Sequence, residues 1–538
     1  MLEKIHHKSA PKEVVNALIH LYHQGEFLQI LGKEKQFESL YQDSIELLNI
    51  FGSTNLALQN FKRAITNFNK AIKLNSNIPT IYYNLGLAYH HIGNMDDAIV
   101  NYKKAIDIKP DYDEALNNMG MSLEEKGDIV GAIDKYNKVL AINPKHAGAY
   151  YNLGNVFYSK DNLVLAIENF NRAIDIEPDY SDAYFNLGNA LNKQGKLEEA
   201  IKSYKRVLSI KPDFVATYSK LGNALQEQGK LEEAIESYNK ALSIEPDSAE
   251  TYNNMGNALQ DQGKLEEAME AYNKALVIKP NDAEVYWNLS GLAENISESK
   301  KCIKKCLKID PNYEKAKLTL SALKFYEGNK SEFRELIKSS YKNHPFTRSF
   351  SWVFSLPKLP PLYFYRWALF EQMIKLTKKN RPFYEFGVWR GEAFKYLIKT
   401  FKKGYGFDTF EGLPEDWHNK KAGTYSSDGN LPKIKGGEFI VGKFEDTLSD
   451  FFSETRPKAS LINFDADLYS STICALNYAK PVIDEHTILI FDEFIMNKYW
   501  EQDEYKALEE FCYNNHFEYE VLGISFFTKQ VAVRLIAI

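Results

Sequence analysis

The sequence predicts a multidomain protein in which an N-terminal all-α superhelix is followed by a doubly wound α/β domain. Three observations support this fold class. The 538 residues are too many for one ordinary hydrophobic core. A pattern of small residues recurs every 34 positions through the first half. From about residue 381 onward, short apolar runs alternate with amphipathic stretches, as strands and helices do when they take turns.

Composition excludes several classes of partner. The chain carries 66 Lys and Arg against 72 Asp and Glu, so no basic excess indicates a nucleic-acid or acidic-membrane partner. The N-terminus, "MLEKIHHKSAPKEVV", lacks an apolar signal core, and no stretch reaches the roughly 18 apolar residues that span a bilayer. The four cysteines are too few and too scattered for a disulfide framework. We therefore expect a soluble, cytoplasmic protein.

The first half repeats three classes of residue with one period. Glycines after Leu or Met, small alanines and prolines each recur 34 residues apart. The glycines are Gly86, Gly120, Gly154, Gly188, Gly222 and Gly256, and the prolines run from Pro110 to Pro280. Each unit, such as "SDAYFNLGNALNKQGKLEEAIKSYKRVLSIKPD", contains two segments of helical periodicity separated by a "QGK" turn and closed by a proline. We expect one helical hairpin per repeat, with Gly188 and Ala200 letting the two helices approach closely.

A single hairpin cannot bury its own apolar face, so neighbouring hairpins must stack into a superhelix. The pattern resembles the tetratricopeptide repeat, with Tyr184, Leu187, Gly188, Ala200 and Pro212 at motif positions. The resemblance covers roughly residues 45–313. It implies an array of about eight repeats over residues 45–320, with degenerate end repeats, preceded by a helical N-terminal cap over residues 1–44.

Asparagines form two series along the array. One repeat position holds Asn118, Asn152, Asn186 and Asn254, and the position three residues later holds Asn155, Asn189, Asn223 and Asn257. Residues three apart share a helix face, and amides both donate to and accept from a peptide backbone. The series resembles the asparagine ladder in the repeats of O-linked N-acetylglucosamine transferases, which implies a protein or peptide partner. The alternative is that these amides bond between neighbouring helices.

After about residue 320 the period fails, and an aromatic, proline-containing segment over residues 321–360 is predicted as a helical linker. Residues 361–538 then alternate strand and helix patterns. These favour a mostly parallel sheet with helices on both faces, in which ligands sit beyond the carboxyl ends of strands. Residues that end each apolar run are therefore the candidates for a site.

The first run ends in "EFGVWRGEA", where Gly387 and Gly391 would allow a tight turn and close approach of a ligand to the backbone. The second ends at Asp408, 21 residues after Gly387, the spacing at which an acid reaches a ribose hydroxyl. Together they indicate a nucleoside-bearing cofactor, although an ordinary β-α turn remains the alternative. A third glycine, expected for NAD, is missing. With Glu385 before it, the turn is more like that of S-adenosylmethionine-dependent methyltransferases.

Two later runs end in "FDAD" and "FDE", which places Asp465, Asp467, Asp492 and Glu493 on neighbouring strand tips. Four carboxylates in one cleft repel one another unless a cation lies between them. An all-oxygen ligand set favours a hard divalent ion, Mg²⁺ first. An acidic helix cap is the alternative for one of the four.

The segments "YEFGVWRGEA", "FDTFEGLPEDW", "GKFEDTL", "FDADLYSST" and "FDEF" follow the order and spacing of the macrocin and mycinamicin type of sugar O-methyltransferase. The resemblance covers roughly residues 360–538 and implies a Rossmann-like methyltransferase fold with a magnesium ion. It implies the following roles: Glu385, Gly387, Gly391, Asp408, Phe410 and Glu411 bind the cofactor, Asp465, Asp492 and Glu493 bind the metal, and Asp465 and Asp467 act in catalysis. Glu493 and Glu392 depart from the family's usual residues.

The function predicted from sequence is therefore an S-adenosylmethionine-dependent, metal-dependent O-methyltransferase. It would act on a sugar or glycoconjugate hydroxyl, with Asp467 as proton acceptor and the array binding a protein partner. The alternative is a tetratricopeptide scaffold with a catalytically idle methyltransferase-like domain. Homo-oligomerisation is left open.

Overall fold

The computed structural model describes residues 9–41, 43–416, 418, 422–423, 426–427 and 429–538. The chain divides into two compact units, Met1–Phe214 and Val215–Ile538. The predicted N-terminal cap, residues 1–44, corresponds to two helices, and its residues 1–8 and 42 lie outside the described part of the chain.

The first unit is helical throughout its described residues. The two cap helices are α1 (Lys12–His23) and α2 (Phe27–Leu40). Five hairpins follow: α3 (Ile45–Ala57) with α4 (Phe61–Leu74), α5 (Pro79–His91) with α6 (Met95–Ile108), α7 (Asp113–Glu125) with α8 (Ile129–Ile142), α9 (Ala147–Ser159) with α10 (Leu163–Ile176), and α11 (Ser181–Lys193) with α12 (Leu197–Ile210). The hairpin periodicity predicted from the sequence is thus confirmed.

The turn inside each hairpin is set by local chemistry. Gly127 adopts a φ of 89°, which glycine reaches without steric cost. The next residue, Asp128, caps α8 by accepting a hydrogen bond at Oδ1 from the N–H of Gly131 over 2.9 Å. The helix therefore starts at a fixed residue after the turn.

The repeated glycine makes room for an aromatic ring. A Cβ on Gly188 would lie 2.6 Å from Cε1 of Tyr204, and Tyr204 is 1% exposed. Each glycine of the series faces the ring 16 residues later in the same way. The missing side chain at Gly188 thus lets the ring of Tyr204 on α12 pack directly against α11, in line with the close approach of the two helices expected from the sequence.

The second unit continues the repeats. Its hairpins are α13 (Val215–Glu227) with α14 (Leu231–Ile244), α15 (Ala249–Asp261) with α16 (Leu265–Ile278), and the shortened α17 (Ala283–Ser290) with α18 (Ile296–Ile309). The aromatic linker is helical as predicted: α19 (Glu314–Tyr326), α20 (Ser331–Leu336) and α21 (Pro345–Ser355) precede the first strand.

The C-terminal part of the second unit forms a mixed eight-stranded sheet. The strands are β1 (Leu362–Tyr363), β2 (Phe383–Phe386), β3 (Gly404–Asp408), β4 (Gly437–Val441), β5 (Leu461–Phe464), β6 (Ile488–Phe491), β7 (Phe517–Ser525) and β8 (Val531–Ala537). The helices between them are α22 (Arg366–Leu376), α23 (Glu392–Phe401), α24 (Phe444–Ser453), α25 (Tyr469–Ala479) and α26 (Glu504–Asn515). The edge strand β4, half exposed, was not predicted from the sequence.

The strand order is β1-β7-β8-β6-β5-β2-β3-β4, and only β8 runs antiparallel to its neighbours. Alternate residues of the strands pack on opposite faces. Tyr384 and Phe386 join one hydrophobic cluster with α24, α25 and α26, while Phe383 joins another with α22 and α23. Helices thus cover both faces of a largely parallel sheet, as predicted.

The boundary between the two units falls inside the repeat array, whereas the sequence places a domain boundary near residue 320. Repeat hairpins contact mainly their neighbours, so an array has no internal boundary of its own. In the second unit, Trp287 of α17 stacks against Phe527, which follows β7, with ring centroids 5.1 Å apart. Such contacts join the last hairpins to the sheet as one compact unit.

Candidate functional site

The candidate site lies at the carboxyl ends of β2 and β5. The chain runs outward from β2 through β3 to β4 on one side, and from β5 to β6 on the other. The adjacent strands β2 and β5 therefore form a topological switch point, where loops diverge and leave a crevice. The residues that follow these two strands are Gly387 and Asp465.

The turn after β2 depends on two glycines in left-handed conformation. Gly387 has a φ of 86°, and a Cβ there would lie 1.8 Å from the carbonyl oxygen of Asp465. Gly391 has a φ of 77° and forms the N-cap of α23. Trp389 between them also has a positive φ, 45°. The turn is therefore tightly constrained, and no side chain fits at Gly387 without moving backbone.

Asp408, at the end of β3, ties this turn to the next segment. Its Oδ2 accepts a hydrogen bond from the N–H of Trp389, and its Oδ1 accepts one from the N–H of Phe410, both over 2.7 Å. Burial raises the pKa of Asp408, and the backbone hydrogen bonds oppose that rise. The carboxylate is thus fixed at the position the sequence predicts for a cofactor ligand.

A cavity of about 330 Å³ brings most of the predicted residues together. It is lined by Glu385, Gly387, Gly391, Asp408, Asp465, Asp467, Asp492 and Glu493, among others. Phe410 and Glu411 do not line it. The Phe410 side chain is 1% exposed and packs in the hydrophobic core near Phe439, while Glu411 is exposed to solvent.

Two basic side chains lie among the acids at the strand tips. Arg366 of α22 donates from Nη2 to Oδ1 of Asp492 over 2.9 Å and lies 3.6 Å from Oδ2 of Asp465. Lys529 contacts both carboxylate oxygens of Glu493, at 3.0 and 2.9 Å. Carboxylates this close together require positive charge between them. Arg366 and Lys529 supply such charge, and neither residue was predicted from the sequence.

The carboxyl groups in this cluster titrate far from their ordinary range. Burial raises the pKa of Asp465 well above its usual value, and the neighbouring Asp492 raises it further. Burial likewise raises the pKa of Asp467. Asp467 also has a left-handed backbone, with a φ of 57°, a conformation that costs free energy in a residue with a side chain. Perturbed carboxyls and strained backbone in a crevice are typical of functional sites.

Glu385 and Glu504 are buried beneath the cluster. Glu385 is 1% exposed, and its Oε2 has no hydrogen-bond partner among the described residues. Glu504 is fully buried and accepts a hydrogen bond at Oε2 from the N–H of Glu493 over 3.1 Å. Burial raises the pKa of both groups well above the ordinary value. The sequence singled out Glu385 but missed Glu504, which lies within helix α26 and not at a strand end.

Neighbouring side chains hold two of the predicted metal ligands in this arrangement, Asp492 and Glu493. Asp492 also accepts a hydrogen bond from Nε2 of Gln530 over 2.7 Å, and Glu493 is held by Lys529 and Asn497. Within the described ranges of the chain, no three His, Cys, Asp or Glu side chains are grouped as ligands of one metal ion. The magnesium prediction therefore stays a prediction.

Repeat residues of the second unit also border the cavity, which the sequence did not predict. Asp261, at the end of α15, accepts a hydrogen bond at Oδ2 from Nε2 of Gln226 over 2.9 Å. Asp261 is exposed, and desolvation by the protein around its carboxyl raises its pKa. The sequence signal for Asp261 was a charged residue at the hairpin turn of one repeat. Charged residues at other repeat turns look the same in the sequence, so this signal did not single out Asp261.

The first asparagine series bonds between neighbouring hairpins, and members of the second series also accept a hydrogen bond from a tyrosine of their own hairpin. In the first unit, Nδ2 of Asn186 donates to Oδ1 of Asn155 over 2.8 Å, and Asn189 accepts from Tyr204 over 2.8 Å. The other members of the two series make the same kind of bond: Asn118 to Tyr83, Asn152 to Asn117, Asn254 to Asn223, and Asn257 from Tyr272. These contacts agree with the alternative given above, and the Nδ2 groups of the second series stay available for a peptide.

Family models identify the repeats. The model described as TPR repeat matches residues 52–93, 122–161, 154–195, 188–229, 222–263 and 256–290, and two further tetratricopeptide repeat models match residues 79–112 and 283–313. Residues 52–313 therefore contain an array of tetratricopeptide repeats, joined to a C-terminal mixed α/β sheet.

Several solved structures are similar to part of this chain. MamA is 33% identical over 32% of this chain and 93% of its own, with a TM-score of 0.29. YrrB, described as a TPR protein with an unusual peptide-binding site, is 24% identical over 34% of this chain and 95% of its own, with a TM-score of 0.32. The C-terminal part of a TPR repeat-containing protein from Cytophaga hutchinsonii is 20% identical over 44% of this chain and 98% of its own, with a TM-score of 0.38.

A search of the curated proteins returned no match. Among the helices that the structure describes, none combines the length and apolar character required to cross a bilayer.

Proposed function

We propose that this protein is a tetratricopeptide scaffold whose C-terminal α/β region transfers a methyl group from S-adenosylmethionine to a hydroxyl of a sugar or glycoconjugate. The observation that carries the proposal is the cavity at the switch point between β2 and β5. It joins a glycine turn, an acid at the end of the next strand and a group of carboxylates in one cavity.

The residues around the glycine turn fit the cofactor. Gly387 and Gly391 keep side chains away from the turn, so a ligand can approach the backbone. Asp408 lies where a ribose diol would donate hydrogen bonds, and the unpartnered Oε2 of Glu385 is an acceptor for a further donor. When bound, S-adenosylmethionine supplies a methyl group already activated by its positive sulfur.

The carboxylates would orient and deprotonate the acceptor. Asp465 and Asp492 present acceptor oxygens to neighbouring hydroxyls, while Arg366 holds Asp492 in place. Asp467 takes the proton of the reacting hydroxyl, because its side chain lines the same cavity at a position fixed by its constrained backbone.

Calorimetric titration with S-adenosylmethionine tests the cofactor step. We expect the full-length chain to bind the cofactor and Asp408→Ala to lose most of that affinity. Glu411→Gln, a change at a nearby exposed carboxylate outside the cavity, should bind normally. Absence of binding by the unchanged protein, or equal binding by Asp408→Ala, would overturn the proposal.

A methyl-transfer assay across a panel of sugars and glycans tests the chemistry. Asp467→Asn should abolish transfer with cofactor affinity nearly intact, because the base is lost and the glycine turn is not touched. The same assay in excess chelator tests the magnesium prediction. Undiminished transfer under those conditions would show that Arg366 and Lys529 supply all the positive charge that the site needs.

The repeats are proposed to bind an extended peptide. In the first unit, the Nδ2 groups of Asn155 and Asn189 are donors that the hairpin contacts leave available. Peptides selected on the full-length protein should bind Asn189→Ala more weakly. Asn169→Ala is the matched control, since Asn169 bonds to the carbonyl of Leu165 within its own helix. Equal peptide affinities for the two variants would show that the second asparagine series does not contact the peptide.

The second candidate function is a binding scaffold whose sheet region is catalytically idle. The observation that favours it is the pairing of Arg366 and Lys529 with three carboxylates of the cluster. This candidate predicts peptide binding by the repeats with no methyl transfer to any acceptor. The calorimetric titration separates the two candidate functions. A catalytically idle domain that does not bind S-adenosylmethionine gives no heat of binding.

A further inference from the structure

Two repeat turns of the second unit form part of the cavity wall. The residues they contribute are Gln226, Gly229, Leu231, Gln260 and Asp261. They come from α13, α14 and α15, more than 100 positions before the sheet begins. The cavity is therefore incomplete without these hairpins.

The two turns are seated on the sheet region by specific contacts. Nε of Arg390, in the glycine turn, donates to the backbone carbonyl of Gln228 over 2.7 Å. A Cβ on Gly229 would lie 2.3 Å from Cη2 of Trp389, and a Cβ on Gly263 would lie 2.8 Å from Nε1 of Trp367. Both turn glycines have left-handed φ, +73° and +80°. Only glycine lets the indole rings approach this closely, so the seating is sequence-specific.

Asp261 is the charged group that this wall presents to the cavity. Gln226 orients it through one oxygen. Arg366, which pairs with Asp492 and Asp465, lines the same cavity, and its charge opposes the rise that burial causes in the pKa of Asp261. Asp261 therefore borders the side of the cavity that holds the carboxylate cluster, where the acceptor hydroxyls are proposed to bind.

The lining holds more acidic than basic side chains. Nine acidic residues face three basic ones. The acids are Asp261, Glu385, Glu392, Asp408, Glu445, Asp465, Asp467, Asp492 and Glu493, and the bases are Arg366, Arg390 and Lys443. Glu385 is buried with an unpartnered Oε2, so a ligand is needed to satisfy at least one of these oxygens. An anionic group placed here would meet more acidic than basic side chains.

We propose that the acceptor bound in this cavity is a polyhydroxylated ligand without any anionic group, and that Asp261 of the repeat array selects it by accepting a hydrogen bond from a hydroxyl or ammonium group. This inference rests on the proposed function, since it names the acceptor class of the same site. It also gives the array a second role. One of its hairpins becomes a specificity-determining part of the site.

The experiment compares three sugars that share ring hydroxyls and differ in charge: D-glucosamine, D-glucose and D-glucose 6-phosphate. Their dissociation constants for the full-length protein are measured by ligand-observed NMR without cofactor. Asp261→Asn keeps the shape of the side chain and removes its charge. The control is Glu125→Gln, which changes an exposed carboxylate at the same repeat position four repeats earlier.

We expect glucosamine to bind most tightly and the phosphate ester on the order of tenfold more weakly. Asp261→Asn should weaken glucosamine binding about tenfold, as expected for loss of a charged hydrogen-bond acceptor. The dissociation constants of the three sugars should therefore differ less in this variant than in the unchanged protein. Gln226→Ala should produce part of the same loss, because it frees the Asp261 side chain. Glu125→Gln should behave as the unchanged protein.

The inference is overturned if none of the three sugars binds, if the phosphate ester binds as tightly as glucosamine, or if Asp261→Asn matches Glu125→Gln. The titration with S-adenosylmethionine is independent of these outcomes. A charge preference that depends on Asp261 in a protein without cofactor affinity would support this inference and reject methyl transfer.

Discussion

The guanidinium of Arg366 donates a hydrogen bond to Oδ1 of Asp492 over 2.9 Å, joining helix α22 to the tip of strand β6 inside the cavity. We predict that Arg366→Met destabilises the second unit by about 3 kcal/mol, because it leaves partly buried carboxylates without their cation. Denaturant unfolding followed by tryptophan fluorescence would measure the change. Millimolar Mg²⁺ should restore part of the loss, since a divalent ion can then enter the cluster.

Lys375→Met provides the control for this variant. Lys375 lies on the same helix and pairs with Glu371 at the exposed surface. Its loss should change stability by less than about 0.5 kcal/mol. If Arg366→Met were as stable as Lys375→Met, the pairing of Arg366 with the cluster would have no energetic significance.

Gly387 and Gly391 should differ in their response to alanine, although both have left-handed φ. Gly387→Ala should prevent stable folding of the sheet region, because the new Cβ would meet the Asp465 carbonyl oxygen at 1.8 Å. Gly391→Ala should cost only about 1–2 kcal/mol, the price of the backbone conformation, because its nearest contact is the flexible end of Ile434 at 3.3 Å. Unfolding curves of the two variants would decide this. Similar losses of stability in the two variants would show that the backbone of the turn shifts to make room for a side chain at Gly387.

Gly188→Ala should destabilise the first unit by about 1–3 kcal/mol, because the new methyl group would overlap the buried ring of Tyr204. Gly32→Ala, in a helix where no atom lies within 4 Å of the new Cβ, should instead stabilise slightly. Combining Gly188→Ala with Tyr204→Leu should cost less than the sum of the single changes. If thermal unfolding showed that the two stability losses are strictly additive, this would contradict a direct contact between residue 188 and the ring of Tyr204.

Asp484 should make stability depend on pH. Burial tends to raise its pKa, but the N–H of His486 and the guanidinium of Arg381 lower the pKa below its ordinary value. A depressed pKa contributes stability above the unfolded-state value of about 3.9, and this stability is lost as pH falls through the native value. The stability difference between the unchanged protein and Arg381→Met should therefore be full at neutral pH and shrink below about pH 4. A constant difference across this range in pH-dependent unfolding would exclude the ion pair as its source.

Much of the fold follows from local patterns. The 34-residue period predicts the hairpins because each repeat must place small and apolar residues on the same faces. The apolar runs ending at Asp408, Asp465 and Asp492 predict buried parallel strands, and all three runs are strands. The edge strand β4 escaped prediction because an exposed strand does not need a continuous apolar run.

The candidate site was predicted only in part. Residues at strand tips could be found because carboxyl ends of parallel strands share one edge of a sheet. Arg366 and Glu504 could not, because each belongs to a helix whose sequence gives no sign of a nearby site. Lys529 lies in the turn between β7 and β8, and only packing brings it to Glu493. Phe410 lies in a predicted segment, yet its side chain faces the core.

The sequence by itself determined the repeat array, the alternation of strands and helices, and the strand-tip residues that line the cavity, because all of these depend on periodicity along the chain. Only the tertiary structure decided which charges meet inside the cavity and that Asp261 and Gln226 form part of its wall. Some of these contacts join parts of the chain that are far apart in sequence, such as Arg366 and Asp492, which are 126 positions apart. Packing brings such residues together without any trace in the local sequence.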